Sequence, residues 1–275
     1  MDILDFLQYS FILRALVAGS FIALLCASLG VILVLKRLSL IGDGLAHVTF
    51  GSVALGLALR VQPIYVSMPV VALSALAILK LAEKARVYSD AAIGIVSAFG
   101  ISGGVVLASI AGGFNVDLLS YLFGNILSIT TGEVAVSALL SLVVLAVIAL
   151  RYSALLSLAF DEEFARTSGV RASRINALIA VLTAVTVVLA MKLVGIMLTS
   201  ALLIIPALCA FQAARSFKGT LVFAAATAVA SVWAGIFLSF VLNLPTGATI
   251  VLLNFAFFLV LYGIKAAPAF LSRLR

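Results

Sequence analysis

Long apolar runs, separated by short clusters of charged or turn-forming residues, follow one another from residue 12 to residue 265. Most are about 20 residues long, the length at which a helix rising 1.5 Å per residue crosses the hydrocarbon of a bilayer. The pattern predicts an all-α, polytopic membrane bundle of nine spans, at 12–35, 38–59, 64–82, 90–111, 132–150, 175–191, 194–213, 220–242 and 247–265. Two regions leave the number of spans open: 175–213, which has almost no loop, and 117–130, which is apolar at helical spacing but too short to cross. An eight-span bundle is therefore the alternative.

The composition rules out a soluble protein. Of 275 residues, 65% are hydrophobic and 10% charged, and the mean hydropathy is +1.35. A soluble domain is roughly 45–50% apolar and about 25% charged. The spans leave no room for a sizeable soluble domain, so residues 1–275 are predicted to form one membrane domain.

The basic residues indicate the orientation of the chain. There are 17 Lys and Arg against 10 Asp and Glu, a net charge of +7, and they cluster at the ends of the spans. In the nine-span prediction, fourteen of the 17 share one side: Lys36, Arg37, Lys80, Lys84, Arg86, Arg151, Arg166, Arg171, Arg174, Arg215, Lys218, Lys265, Arg273 and Arg275. The positive-inside rule makes that side cytoplasmic, with the N-terminus outside and the C-terminus inside. A charge distribution of this kind argues against nucleic-acid binding.

Two ionisable residues lie inside the second span, where charge is costly and usually functional. Asp43 and His47, the only histidine, are four residues apart and so project from one helix face. A carboxylate and an imidazole together suit a divalent first-row metal such as Zn²⁺ or Mn²⁺. Two ligands are half a site, and a two-fold dimer with this helix near the axis would supply four. The alternative is that Asp43 and His47 bond each other or nearby backbone and only fix helix packing.

The longest polar stretch on the predicted cytoplasmic side, about 157–171, predicts a short helix that does not cross the membrane. Asp161 is a suitable N-cap, Glu162 and Glu163 occupy the first turn, and Gly169 can end the helix in the left-handed conformation.

This helix has two possible roles. It can lie on the membrane surface as an amphipathic helix, or it can dock into a soluble partner with Phe160 and Phe164 as anchors. The residue types leave both open.

Small residues and a proline mark further positions inside the spans. Gly100 and Gly104 have the spacing that lets helix backbones approach closely, and Pro206 is expected to kink its span. Helix packing is the expected role of the two glycines, and lining a pathway is the alternative.

The chain lacks the motifs of an enzyme that would drive transport by itself. It contains no GxxxxGK[ST] phosphate loop, no HExxH and no GxSxG. We expect no catalysis and no permanently bound cofactor in this chain, so any energy source lies elsewhere.

Several motifs, agreeing in order and spacing, resemble one known family. They occupy residues 39–47, 51–56, 90–95, 117–127, 161–170, 194–195 with 201–207, and 244–247. Together they resemble the zinc/manganese permease subunits of binding-protein-dependent ABC importers, and the resemblance covers roughly residues 11–265.

That resemblance implies a homodimer of helical bundles related to the vitamin B12 and siderophore type of importer permease. Two copies of a separate cytoplasmic ATPase would bind below it, and an extracytoplasmic metal-binding protein would dock above. Residues 161–170 match the family's coupling segment, and Asp43 and His47 match its Asp-xxx-His on the second span. The transported substrate would be Zn²⁺ or Mn²⁺, with zinc favoured because 45–47 and 121–127 look more like the zinc members.

Two other functions were weighed against the importer. One is a self-contained secondary transporter in which Asp43 and His47 relay protons; the other is an intramembrane enzyme, for which the sequence offers no convincing nucleophile. The capped cytoplasmic helix separates the first two hypotheses, because a self-sufficient carrier does not need it.

Overall fold

Every predicted span is helical in the computed structural model, which describes residues 9–84, 88–113, 116–125 and 129–273. The helices, in chain order, are α1 (Ser10–Leu35), α2 (Ile41–Ala58), α3 (Pro63–Lys84), α4 (Ser89–Ile110), α5 (Val116–Phe123), α6 (Thr131–Leu150), α7 (Tyr152–Phe160), α8 (Glu162–Thr167), α9 (Ala172–Leu193), α10 (Thr199–Ala213), α11 (Phe217–Leu242) and α12 (Thr246–Arg273). Arg86, Arg275 and part of the 117–130 segment lie outside the described residues. The all-helical, polytopic fold is confirmed.

Eight of the described helices are long and apolar enough to cross a membrane, and α10 is the exception among the nine predicted spans. It has 15 residues and is therefore about 22 Å long, short of the roughly 30 Å hydrocarbon. The shortening has a local cause, because Gly195 adopts a φ of +93° and a 3₁₀ turn at Ile196–Leu198 follows it. Pro206 is buried in the middle of α10, which continues through it.

The core of the bundle is built on α1 and α2, most of whose residues are buried. Helix α1 packs against α6, α9, α10 and α11, and α2 packs against α3 and α4. By contrast α3, α4, α6 and α12 have few buried residues, and their exposed residues are largely apolar. Apolar outer faces of this kind suit contact with lipid or with another membrane subunit.

Glycines allow α2 and α4 to lie in close contact. A Cβ added to Gly51 would lie 2.4 Å from the Gly100 carbonyl oxygen, and one on Gly100 would lie 2.7 Å from Val48 Cα. A Cβ on Gly104 would lie 2.6 Å from the Phe50 ring. The structure therefore places Gly100 and Gly104 where close helix packing requires small residues.

The predicted cytoplasmic helix is divided in two. Helix α7 ends at Phe160, Asp161 adopts an extended conformation, and α8 begins at Glu162. Residues 157–160 thus belong to α7, and α8 is the helix capped by Asp161 within the predicted stretch of about 157–171. The cap itself is as predicted: the Asp161 carboxylate accepts a hydrogen bond from the Phe164 N–H at 3.0 Å, and Gly169 has a φ of +86°.

Candidate functional site

Asp43 and His47 lie on the one partly exposed stripe of an otherwise buried helix. On α2, residues 43, 47, 51 and 55 are partly exposed, while most of the remaining residues of the helix are buried. The Asp43 side chain is 49% exposed and that of His47 is 32% exposed. Asp43 Oδ2 lies 3.9 Å from His47 Nδ1, so the two side chains are neighbours but are too far apart for a good hydrogen bond. One face of α2 therefore presents a carboxylate and an imidazole together.

Hydroxyl groups from two other helices complete the surroundings of this pair. Ser97 of α4 places its Oγ 2.6 Å from His47 Nδ1. Ser200 of α10 donates a long hydrogen bond, 3.5 Å, to Asp43 Oδ1. Ser97 can reach His47 because α2 and α4 are closely packed. The absence of a side chain at Gly44 allows this packing, since a Cβ there would lie 2.6 Å from the Ile93 side chain.

Asp43 and His47 are the two predicted metal ligands, and the structure places them side by side. Across the part of the chain that the structure describes, no group of three or more His, Cys, Asp or Glu side chains could hold a metal together. Both side chains are partly exposed, so groups from outside the subunit can reach them.

An apolar cavity lies beside the pair, between α2, α3 and α4. Its volume is about 220 Å³, and its lining includes Gly51 of α2 and Ser74 of α3 together with Phe99, Gly100 and Gly104 of α4. Gly51 is one helical turn beyond His47. The lining of the cavity is mostly apolar and contains no charged side chain. The ionisable groups of this region are therefore Asp43 and His47.

The two predicted aromatic anchors, Phe160 at the end of α7 and Phe164 on α8, are exposed. Phe160 is 78% and Phe164 63% exposed, and Glu163 is exposed as well. The opposite side of the helix is fixed to the bundle, since Ala165 is fully buried against Leu158 and Ala172. The structure therefore presents two large aromatic side chains at the junction of α7 with the short, anchored helix α8.

A buried lysine joins α8 to the end of α1. Lys36, only 6% exposed at its side chain, lies 3.5 Å from Glu162 and donates a hydrogen bond to the Asn176 side chain of α9. Glu162 also accepts a 2.7 Å hydrogen bond from Arg166. Charged and polar groups from α1, α8 and α9 thus meet at one point.

The pKa values of this cluster follow from its burial and charges. Burial lowers the pKa of Lys36, against the opposing effect of Glu162. For Glu162, burial by itself would raise the pKa, but the hydrogen bond from Arg166 and the charge of Lys36 outweigh it and the pKa is lowered. Glu162 is therefore held as a carboxylate, which Lys36 requires as its counter-ion.

Four residues of these two sites escaped the sequence reasoning: Ser97, Ser200, Lys36 and Asn176. Serine and asparagine inside apolar spans carry no one-dimensional signal of their partners. Lys36 was interpreted only as a positive-inside residue, and nothing in its spacing relates it to Glu162. All four become visible only when distant helices pack.

Comparisons with known proteins agree over nearly the whole chain. Residues 8–264 match the ABC 3 transport family. The high-affinity zinc uptake system membrane protein ZnuB of Haemophilus influenzae is 30% identical over 254 residues, which cover 92% of this chain and 97% of that protein. The manganese transport system membrane protein MntC of Halalkalibacterium halodurans is 30% identical over 267 residues, which cover 97% and 91%.

A solved structure has the same fold. PsaBC from Streptococcus pneumoniae in complex with Fab superposes with a TM-score of 0.84 at 29% identity, covering 94% of each chain. The family match, over residues 8–264, includes both the Asp43–His47 region and α8.

Proposed function

The chain belongs to the ABC 3 transport family, and on that premise we propose that it is the permease subunit of an importer for a divalent transition metal. Zinc is favoured and manganese comes next. The relatives support the substrate class, because one is named for zinc and one for manganese at the same 30% identity.

The observation that carries this proposal is the half-exposed Asp43–His47 pair on the buried helix α2. An ionisable pair in a membrane-spanning helix is costly unless it is covered and used. A second copy of the chain, related by a two-fold axis near α2, would cover the pair and raise the ligands from two to four. Carboxylate oxygen and imidazole nitrogen are ligands that both Zn²⁺ and Mn²⁺ accept.

Energy and substrate delivery belong to partner proteins in this proposal. A cytoplasmic ATPase docks on α8 and the adjoining end of α7, where exposed Phe164 and Phe160 supply anchors. Asp161, Glu162, Glu163 and Gly169 shape α8. An extracytoplasmic metal-binding protein delivers the ion to the opposite end of the bundle. Membership of an ABC transport family supports both partners, and it does not favour the proton-driven carrier.

Metal uptake by the complete transporter tests the proposed substrate class. In proteoliposomes that contain the permease with its ATPase and binding protein, we expect ATP-dependent accumulation of ⁶⁵Zn²⁺, with ⁵⁴Mn²⁺ second at equal free concentration. Liposomes without ATP are the control. Accumulation driven by a proton gradient in the absence of ATP would support the secondary transporter instead.

We also propose that the N-terminus is outside the cell membrane and the C-terminus inside, an orientation in which α10 and the 3₁₀ turn before it together make the ninth crossing. The basic residues support it: Lys36 and Arg37 follow α1, Arg151 follows α6, and Arg171 lies at the start of α9. This orientation puts α8 and its exposed aromatic side chains in the cytoplasm.

Cysteine labelling in whole cells tests the orientation. An impermeant maleimide should label Gln62→Cys, in the exposed connection between α2 and α3, but label Ser89→Cys only after the cells are permeabilised. The native Cys26 and Cys209 are buried and give little background. Labelling of Ser89→Cys in intact cells would reverse the assignment.

A further inference from the structure

The His47 ring is held by a residue of another helix rather than by its neighbour on α2. Ser97 Oγ lies 2.6 Å from Nδ1, a short hydrogen bond, whereas Asp43 Oδ2 lies 3.9 Å from the same nitrogen. The imidazole thus faces two possible partners and is bonded to the hydroxyl.

This choice matters for metal binding. A neutral imidazole has one N–H donor and one lone pair, and the hydrogen bond made by one nitrogen decides which nitrogen is left to bind a metal. When Nδ1–H donates to Ser97 Oγ, Nε2 keeps its lone pair for the cation. Histidine ligands commonly have an outer partner of this kind, which fixes the ring orientation.

A hydrogen bond from His47 to Asp43 instead would make both side chains less available to a cation. If Nδ1–H turned to the Asp43 carboxylate, the two ligands of this helix would satisfy each other and a cation would have to break their hydrogen bond. Asp43 and His47 are one turn apart, so a small rotation of the ring suffices for that. Ser97 offers the Nδ1–H a nearer acceptor, so the Asp43 carboxylate is not bonded to His47.

We infer that Ser97 is a positioning residue for the metal site: it holds His47 Nδ1 in a hydrogen bond that does not involve Asp43, with Nε2 available to the cation. The inference rests on the proposed function, since it assigns a role toward the ion that Asp43 and His47 are proposed to bind. A residue of α4 thus contributes to metal affinity together with Asp43 and His47 of α2.

Replacement of the Ser97 hydroxyl tests the inference. Zn²⁺ is titrated into the purified, detergent-solubilised complex, and the dissociation constant is measured for Ser97→Ala and Ser97→Thr. Loss of an outer partner of a metal-ligating histidine typically weakens binding by about 10–100-fold, so we expect Ser97→Ala to raise the dissociation constant at least about 10-fold. Ser97→Thr keeps the hydroxyl and should bind nearly as the parent protein does.

Two controls separate this role from a structural one. Ser102→Ala makes the same change at an exposed position of α4 and should leave the dissociation constant unchanged. The thermal unfolding midpoint of the metal-free complex should be the same for all these variants. Unchanged binding by Ser97→Ala, or a fall in its metal-free midpoint that accounts for the weaker binding, overturns the inference.

A third variant distinguishes failure of the inference from failure of the proposed function. His47→Ala should lose Zn²⁺ binding altogether. If His47→Ala loses binding while Ser97→Ala binds normally, only the role of Ser97 is wrong. If His47→Ala binds Zn²⁺ as the parent does, the metal site itself is wrong, and the role of Ser97 is wrong with it.

Discussion

Asp43→Asn is expected to abolish metal uptake while the complex with its ATPase still assembles. The substitution keeps the shape of the side chain and its capacity to accept from Ser200, but it removes the negative charge that a divalent cation requires. We expect uptake in proteoliposomes to fall by more than about 100-fold, the upper end of the loss produced by removing an outer partner alone. The folded bundle should persist, because a partly exposed ionisable pair is a cost to a membrane helix rather than a support.

The controls for this prediction concern charge and stoichiometry. Asp90→Asn makes the same change at an exposed position in the first turn of α4 and should transport normally. If two copies share one site, the parent complex should bind one Zn²⁺ per two permease chains, and Asp43→Asn should bind none. A well-assembled Asp43→Asn complex that transports at the parent rate would refute the metal-ligand assignment and favour the packing role.

Glu162→Gln is expected to loosen α8 and to reduce uptake per ATP hydrolysed. It leaves the Lys36 ammonium, 6% exposed, without a counter-ion, whereas Lys36→Met leaves Glu162 still paired with exposed Arg166. Glu162→Gln should therefore cost more stability than Lys36→Met. We expect on the order of 1–2 kcal/mol, below the roughly 3–5 kcal/mol of a fully buried pair, because the Glu162 side chain is 37% exposed. The double variant should recover most of the loss, since no buried charge is then unpaired.

Thermal unfolding of the four proteins in this cycle measures the prediction. Glu163→Gln is the matched control, because Glu163 is exposed and its change should leave the unfolding midpoint unchanged. Equal midpoints for Glu162→Gln and the parent protein would show that the Lys36–Glu162 ion pair does not hold α8 to the bundle. The expected effect on uptake follows from the short connection between Lys36 and α2. Lys36 precedes Asp43 by seven residues, and the chain between them turns tightly at Arg37, which has a φ of +57°. We therefore expect a loosened α8 to affect the segment that leads into the proposed metal site.

The stability contributed by the Lys36–Glu162 ion pair depends on pH in a definite direction. The pKa of Glu162 is lowered in the folded protein from its ordinary value of 4.5. Its contribution to stability is therefore fully present above pH 4.5 and is lost as the pH falls through the lower folded value. The difference in stability between the parent and Glu162→Gln should be constant at neutral pH and shrink in acid.

Helix positions and their ends were predictable because lipid imposes a strong, local constraint. Each span must be apolar and long enough to cross, so α1, α3, α4 and α6 lie within a few residues of their predicted ranges. The cap at Asp161 and the left-handed Gly169 were also predictable, since both depend on neighbours within a few residues. For α10 the sequence left eight and nine spans open, because the apolar pattern of 194–213 does not show that the chain turns at Gly195 and shortens the helix.

The sequence by itself determined that this is an all-helical membrane protein with two chemical features, the Asp43–His47 pair on one helix face and a capped helix outside the bilayer. Both depend on spacing of three to five residues, which helix geometry converts directly into proximity. Only the tertiary structure decided what those features contact: Ser97 on His47, Ser200 on Asp43, and Lys36 with Asn176 around Glu162. Ser97 is 50 residues from His47 in the sequence, and Ser200 is 157 residues from Asp43. Apolar helices that look alike in sequence do not reveal which of their faces will be in contact. Their pairing is set by close backbone contacts such as that of Gly51 with Gly100, a property of the packed helices rather than of any one of them.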